Sequence, residues 1–319
     1  MAEPDTGRRA QGAPAGPDAT AAAARPPAGL AARLSAAGLD PAATLGVVRA
    51  ALAEDLAGGA DVTTRATIAP AARGRADLVA RTPGVVAGVP VAELVMWAVS
   101  QPDPVRFLAR ADDGDTAAAG QPLLTVTGRI EPILTAERTA LNLLCHLSGI
   151  ATLTRRWVDA VAGTGAQIRD TRKTLPGLRA LEKYAVRCGG GVNHRMSLAD
   201  AALIKDNHVA AAGSVAAAFA AVTARAGGLP VEVECDTLAQ VAEAVAAGAE
   251  LILLDNFTVP QLAEAVRLAA GRARLEASGG LTLASARAVA ETGVDYLAVG
   301  ALTHSAPALD IGLDLAGPG

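Results

Sequence analysis

The chain has 319 residues, of which 51% are hydrophobic and 19% charged, with a formal net charge of -4. This is the composition of a globular protein long enough for more than one core. The mild acidity excludes a global basic field of the kind that gathers nucleic acid or an acidic membrane surface, so any anion site must be local.

Three cysteines, Cys145, Cys188 and Cys235, are widely spaced and form no C-x-x-C pair. They point away from a disulfide framework or zinc knuckle and toward a reducing cytoplasm. Arg, Asp, Glu or Gly interrupts each alanine-rich stretch before it could span a bilayer, and the first residues lack the sustained apolar run of a secretory signal.

Residues 1–27 are rich in Ala, Pro and Gly and bury too few large side chains to offset the entropy of ordering, which predicts a disordered tail. From Leu30 to about Ala57 apolar residues recur at helical spacing, with Asp40 and Pro41 placed as N-cap and first helical residue. Between Ala76 and Thr127 the runs ADLVA, GVVAGV, VRFLARA and PLLTVTG are separated by turn residues and predict a small sheet with an inserted helix, VAELVMWAV. An N-terminal α/β domain over 28–135 follows. Residues 132–162 read as one or two long amphipathic helices, with 136–162 linking the two domains.

After Gly165 the chain alternates strand, loop and helix through AQIRD, AALIKD, VEVEC, LILLD, RLEAS and DYLAVG. Six such units favour a parallel barrel or near-barrel over a flat doubly wound sheet, and give a catalytic domain over 136–305. No G-x-G-x-x-G follows the first strand, so a dinucleotide-binding fold has little support. Residues 306–319 are expected to return to the N-terminal domain.

Reactive groups in such barrels project from the C-terminal ends of strands. Here Asp170, Lys205, Glu234, Asp255 and Ser278 each close an apolar run. Period two also turns Glu232 and Glu276 inward while Val231, Val233 and Leu275 face the helices. Buried carboxylates need cations, so a barrel lined by Glu232, Glu234, Asp255 and Glu276 calls for partners, and Lys205 and a divalent metal such as Mg²⁺ are the available kind.

Between Asp170 and His208 seven cations face four anions. Arg179, Lys183 and Arg187 repeat at i, i+4 and read as a solvated helix face. Arg172, Lys173, His194, Arg195 and Lys205 fall in loops or at strand ends and are assigned to a ligand carrying carboxylate and phosphate, which suit arginine and lysine respectively. Gly189, Gly190 and Gly191 allow close backbone approach. Ser278, Gly279 and Gly280 before a helix beginning near Thr282, together with Gly300, could cradle phosphate. His146 and His208 read as structural, and His304 is open to either role.

The strings ERTALNLLCHLSGIAT, DTRKTLPGLRALEKYAVRCGGGVNHR, LIKDNH, VEVE, LILLDN, EASGG and GVDYLAVGALTHS resemble those of the quinolinate phosphoribosyltransferases, also called nicotinate-nucleotide pyrophosphorylases, over roughly Leu45 to Leu315. The resemblance implies an N-terminal α/β sandwich domain and an open, seven-stranded α/β barrel, assembled as a homodimer. It further implies transfer of phosphoribosyl from phosphoribosyl pyrophosphate (PRPP) to quinolinate, with Mg²⁺, releasing pyrophosphate and CO2 and yielding nicotinate mononucleotide for NAD biosynthesis. By position, Arg172, His194 and Arg195 are similar to quinolinate-carboxylate ligands. Lys173 and Lys205 are similar to lysines at the substrate and phosphate end, and Arg138 to an arginine reaching into the neighbouring subunit's site. Glu234 and Asp255 match the acidic pair near the ribose and metal; Ser278, Gly279, Gly300 and His304 resemble the 5′-phosphate loops. Lys173, Lys205, Glu234 and Asp255 are the expected catalytic set. Two other readings stand beside this one: a phosphoribosyltransferase using nicotinate, and a non-catalytic anion-binding barrel.

Overall fold

The computed structural model describes residues 25–316. Of the expected tail, residues 1–24 lie outside the described residues, as do 317–319 at the other end. The first two helices are α1 (Ala28–Ala36) and α2 (Pro41–Leu56). Asp40 caps α2 by accepting from Ala43 N at 2.6 Å, with Pro41 in the first turn. A short α3 (Val62–Thr67) is capped in the same manner by Asp61.

The N-terminal domain continues as β1 (Arg73–Ala80), β2 (Gly84–Val85), α4 (Val89–Val99), β3 (Arg106–Arg110), β4 (Thr116–Ala117) and β5 (Pro122–Arg129). Of the run GVVAGV only its first two residues are strand. Gly88, at φ 102°, turns the chain into α4, and the Asp113 carboxylate accepts from Gly88 N at 2.8 Å and Val89 N at 3.1 Å. An apolar run by itself does not distinguish a strand from the buried entry to a helix.

The link between domains is a single helix, α5 (Ile130–Ala160), which begins six residues before the predicted linker. Ala136, Ala140, Leu144, Leu147 and Ala151 recur along it at helical spacing and are all buried. The barrel then runs β6 (Gln167–Arg169), α6 (Arg179–Cys188), β7 (Ala202–Ile204), α7 (Asp206–Ala212), α8 (Val215–Thr223), β8 (Val231–Cys235), α9 (Leu238–Ala246), β9 (Leu251–Asp255), α10 (Val259–Ala269), β10 (Arg274–Ser278), α11 (Leu283–Ala290), β11 (Tyr296–Ala298) and α12 (Ala301–His304). A last strand, β12 (Ile311–Ala316), closes the described chain.

Two main sheets result. One is antiparallel in the order β12-β1-β5-β3, so the C-terminal strand returns to the N-terminal domain with Leu313 opposite Leu78. The other is parallel in the order β6-β11-β10-β9-β8-β7. Val192 adds a seventh rung through a parallel bridge to Arg169. Among the described residues no strand pairing joins Val192 to β7, so the barrel is open there, and residues 193–201 span the gap.

The return of the C-terminal segment depends on a close crossing over α5. A Cβ on Gly149 would lie 2.9 Å from Ala308 Cα and nearer still to Pro307 O. Gly149→Ala is therefore expected to push β12 off α5 and destabilise the protein by about 1–3 kcal/mol, read as a lowered urea midpoint at unchanged m value.

Candidate active site

The parallel register places Asp255 beside Ser278 at the C-terminal ends of β9 and β10, with Glu234 on the same inward face of β8. Lys205, just past β7, reaches Glu234 Oε2 with Nζ at 2.5 Å. Asp255 Oδ2 accepts from Asn256 Nδ2 at 2.8 Å, and Asn256 N donates to Ser278 O at 2.8 Å. Gly279 has φ 87°, and a Cβ on it would meet Asn256 N at 2.9 Å. Only glycine fits this turn.

At the next strand end, the turn entering α12 meets the loop after β6. A Cβ on Gly300 would stand 3.2 Å from Lys173 Cδ and 3.3 Å from His304 Nε2, and Thr303 Oγ1 donates to Lys173 O at 2.7 Å. Lys173 and His304 are themselves exposed. An exposed lysine beside a glycine turn at a barrel mouth suits a phosphate group.

The basic cluster is organised by a buried ion pair that the sequence pattern concealed. Lys183, read as part of a solvated face, is fully buried. Its Nζ donates to Asp170 Oδ1 and, at 2.9 Å, to His194 O. Asp170 also accepts from Asn193 Nδ2 at 2.5 Å and His194 N at 2.7 Å. Burial pushes the Asp170 carboxyl up and the Lys183 ammonium down, each toward neutrality, while the mutual charge and these hydrogen bonds oppose it. Asp170 therefore closes its strand as a structural anchor. The spacing misled because α6 is buried on every side from Leu181 to Val186. Arg179 and Arg187 also hold neighbouring segments: Arg179 donates to Thr174 Oγ1 and Met196 O, each at 3.0 Å, and Arg187 to Asn193 Oδ1 and Ala37 O, each at 2.6 Å.

Two of the inward carboxylates find a cation other than those expected. Glu232 and Glu276 are buried, and their partner is Arg169, whose Nη1 bonds Glu276 Oε2 and stands 3.9 Å from Glu232 Oε1. Arg169 also lies over the Tyr296 ring, with its guanidinium carbon 4.9 Å from the centroid. Burial and the neighbouring Glu232 push Glu276 up to about 7. Lys205, expected as a partner for the inward carboxylates, bonds Glu234 among them. Arg169 escaped the sequence reading although the period-two rule applied to AQIRD, with Ile168 buried against the helices, turns it inward. His194, Glu232 and Glu276 present ligand atoms within 4.8 Å of one another, but Arg169 already supplies their cation.

Arg172 and Arg195 are the unsatisfied cations of the site, beside the unpartnered Glu232 Oε1 and Glu276 Oε1. The Nε of each is buried without a hydrogen-bond partner in the protein. Arg195 is held by Nη1 donating to Ala201 O at 2.8 Å, and burial together with the nearby Arg172 charge pushes its guanidinium down. Such groups call for an anion.

The other candidates are placed outside this grip. Arg138 is exposed on α5 and joins none of these contacts. His146 Nε2 lies 2.9 Å from Glu182 Oε1, and Glu182 Oε2 accepts from Leu175 N at 3.1 Å, tying α5 to α6 and the loop that carries Arg172. His208 Nδ1 accepts from Lys205 N at 2.9 Å at the start of α7. Burial pushes the Cys188 thiol up to about 11 and the Cys235 thiol up to about 12, which makes both inert.

Residues 61–148 match the model of the quinolinate phosphoribosyl transferase N-terminal domain, and residues 150–314 that of the C-terminal domain. The chain belongs to the quinolinate phosphoribosyltransferase family. A nicotinate-nucleotide pyrophosphorylase (carboxylating) of Mycobacterium leprae is 59% identical over 271 residues, covering 84% of this chain and 95% of that relative. A quinolinate phosphoribosyltransferase (decarboxylating) of Nicotiana tabacum is 41% identical over 290 residues, covering 85% of this chain and 81% of that relative. Among solved structures, the nicotinate-nucleotide pyrophosphorylase of Francisella tularensis superposes with a TM-score of 0.82 at 37% identity, covering 86% of this chain and 96% of its own. NadC from Streptococcus pyogenes superposes with a TM-score of 0.80 at 41% identity, covering 85% and 96% respectively. The human nicotinic acid phosphoribosyltransferase, at 16% identity and a TM-score of 0.52, shares the fold alone.

Removing one member of a buried ion pair strands the other. Lys183→Met is expected to cost about 3–5 kcal/mol of unfolding free energy. Removing the exposed Arg267, paired within its own helix to Glu264, should cost less than about 1 kcal/mol. Urea titration of both variants checks the contrast.

Proposed function

We infer that this chain transfers phosphoribosyl from PRPP to the ring nitrogen of quinolinate and decarboxylates the adduct, giving nicotinate mononucleotide, pyrophosphate and CO2 for NAD biosynthesis. The observation that carries the assignment of residues is the pair of buried, unpartnered Nε groups on Arg172 and Arg195, two planar guanidinium forks for a ligand with two carboxylates. Nicotinate, with one carboxylate, would leave half of this demand unmet.

In the first step the pyridine nitrogen forms a bond to the ribose anomeric carbon as the bond to pyrophosphate breaks. The chain's part is to bring two polyanions together and hold them in line. Arg172 and Arg195 bind the dicarboxylate, Lys173 and the Gly300 turn take phosphate, and Lys205 stands between the two halves. Glu234 and Asp255 lie where the ribose hydroxyls would be received. The ring nitrogen is then cationic, so the adjacent carboxylate departs as CO2, and the electron pair left on carbon is stabilised by that charge until a proton replaces it. No separate electron-sink cofactor is required.

The donor set at the acidic wall fits Mg²⁺. Glu234 and Asp255 offer hard oxygens on neighbouring strand ends and are only partly covered, which suits an ion that keeps waters and binds phosphate oxygens. Bound there with pyrophosphate, Mg²⁺ would neutralise charge on the leaving group. We assign Arg138, exposed on α5, to the site of a second subunit in a homodimer. No helix among the described residues is long and apolar enough to cross a membrane, and three free cysteines support a cytoplasmic setting.

The enzyme incubated with quinolinate, PRPP and Mg²⁺ is expected to release CO2 and pyrophosphate in equal amounts, with release lost on chelation by EDTA and restored by added Mg²⁺. No CO2 release with metal present contradicts the assignment. Truncating one arm of a buried charge pair costs about 2–5 kcal/mol, so Arg172→Ala should raise the KM for quinolinate at least about 30-fold, with the KM for PRPP little changed.

A further inference from the structure

We propose that Asn193 and Arg187 are positioning residues for the pyridine dicarboxylate: through them the end of α1, in the N-terminal domain, sets the place of the loop that carries His194 and Arg195. This rests on the reading of the site as a quinolinate site and deepens it. The Asn193 amide is used on both sides. Its Nδ2 donates to Asp170 Oδ2 at 2.5 Å and to Lys183 O at 2.8 Å, and its Oδ1 accepts from Arg187 Nη1 at 2.6 Å. Only one orientation of the amide satisfies these partners, since a guanidinium can only donate while a carboxylate and a carbonyl accept. Asp170 in turn accepts from His194 N at 2.7 Å. Arg195 follows directly. Its backbone N donates to His194 Nδ1 at 2.7 Å, which leaves the ring Nε2–H and the buried Arg195 Nε free for a ligand.

Arg187 stands at the outer end of this chain of bonds, exposed on α6. Its Nη2 donates to Ala37 O at 2.6 Å, one residue past α1. Its guanidinium carbon lies 5.6 Å from the centroid of the Tyr184 ring, whose hydroxyl donates to Asp113 Oδ2 at 2.5 Å. The N-terminal domain therefore holds α6 at two points, Ala37 and Asp113. Gly38, at φ 74°, turns the chain away beside the first of them, and a Cβ on it would stand 3.0 Å from Arg187 Nη2. Among the described residues no strand pairing fixes 193–201 across the open side of the barrel, so bonds of this kind decide where the loop sits. A loop held in place before the ligand arrives loses less freedom on binding. Lys205, Glu234 and Asp255 stand on other strand ends and bond one another or Asn256, so the gain falls on affinity for the dicarboxylate and not on the phosphoribosyl donor.

A double-mutant cycle in steady-state kinetics provides one test. Loss of a hydrogen bond to a charged group corresponds to about a tenfold effect or more, and loss of an ordinary one to about two- to tenfold. Asn193→Ala is therefore expected to raise the quinolinate KM at least about tenfold with the PRPP KM unchanged, and the exposed Arg187→Met to raise it about two- to tenfold. Because Arg187 acts through Asn193, adding Arg187→Met to Asn193→Ala should raise the quinolinate KM little further. An equal rise in both KM values, fully additive effects, or an Arg187→Met enzyme with a lowered urea midpoint and an unchanged quinolinate KM overturns the proposal. Should Asn193→Ala fail to fold, Gly38→Ala presses on Arg187 from the α1 side; the same selective rise is expected, and its absence overturns the proposal. The second test needs no substrate. Amide hydrogen exchange read by mass spectrometry should be faster over residues 193–201 in Arg187→Met than in the parent, with α9 unchanged. Identical exchange over 193–201 overturns the proposal as well. A parent enzyme that releases no CO2 from quinolinate would instead contradict the functional reading, and the exchange measurement would still decide whether the end of α1 steadies the loop.

Discussion

Arg172 and Arg195 carry like charges close enough to disfavour one another, with buried N–H groups that no protein atom satisfies. Left to itself such a pair would swing into solvent. Holding it in place is the constraint that the rest of the barrel interior serves. The loops bearing both arginines are tied together at Asp170, which collects Lys183, Asn193 and the backbone of His194. Because the barrel is open between Val192 and β7, no strand pairing steadies residues 193–201, and this side-chain network supplies the rigidity that a closed sheet would otherwise give.

Below the arginines the barrel is filled with charge where similar folds place branched apolar side chains. Arg169, Glu232 and Glu276 form a compact set in which Arg169 bonds Glu276, while Glu232 Oε1 and Glu276 Oε1 keep no hydrogen-bond partner. The acidic wall made by Glu234 and Asp255 stands opposite, joined to the basic side by Lys205. The mouth is thus divided into a cationic half and an oxygen-rich half, which would suit a reaction that must join two polyanions.

Much of this division could be read from sequence because strand ends have a rule. Polar residues closing apolar runs located Lys205, Glu234, Asp255 and Ser278, and alternation turned Glu232 and Glu276 inward. What escaped has a physical reason. Lys183 sits at i, i+4 from two other cations on a helix with an acid beside it, a pattern identical to that of a solvated face; its burial is decided by Asp170, thirteen residues earlier on another element. Arg169 was open to the same alternation rule that located the glutamates, but it stands one residue before the more conspicuous Asp170. The run GVVAGV and the N-terminus of α5 show the usual ambiguity of apolar stretches at element boundaries. The contact between His194 Nδ1 and the backbone N of Arg195 could not be read at all, since it depends on how the ring is turned.

The central claim is that two arginines, held by a buried polar network, select a dicarboxylate. It is tested most directly by titration calorimetry of the enzyme with quinolinate and with nicotinate under identical conditions. Loss of one buried charge pair corresponds to about 2–5 kcal/mol, so quinolinate is expected to bind at least about 30-fold more tightly. Equal affinities for the two acids would contradict the account.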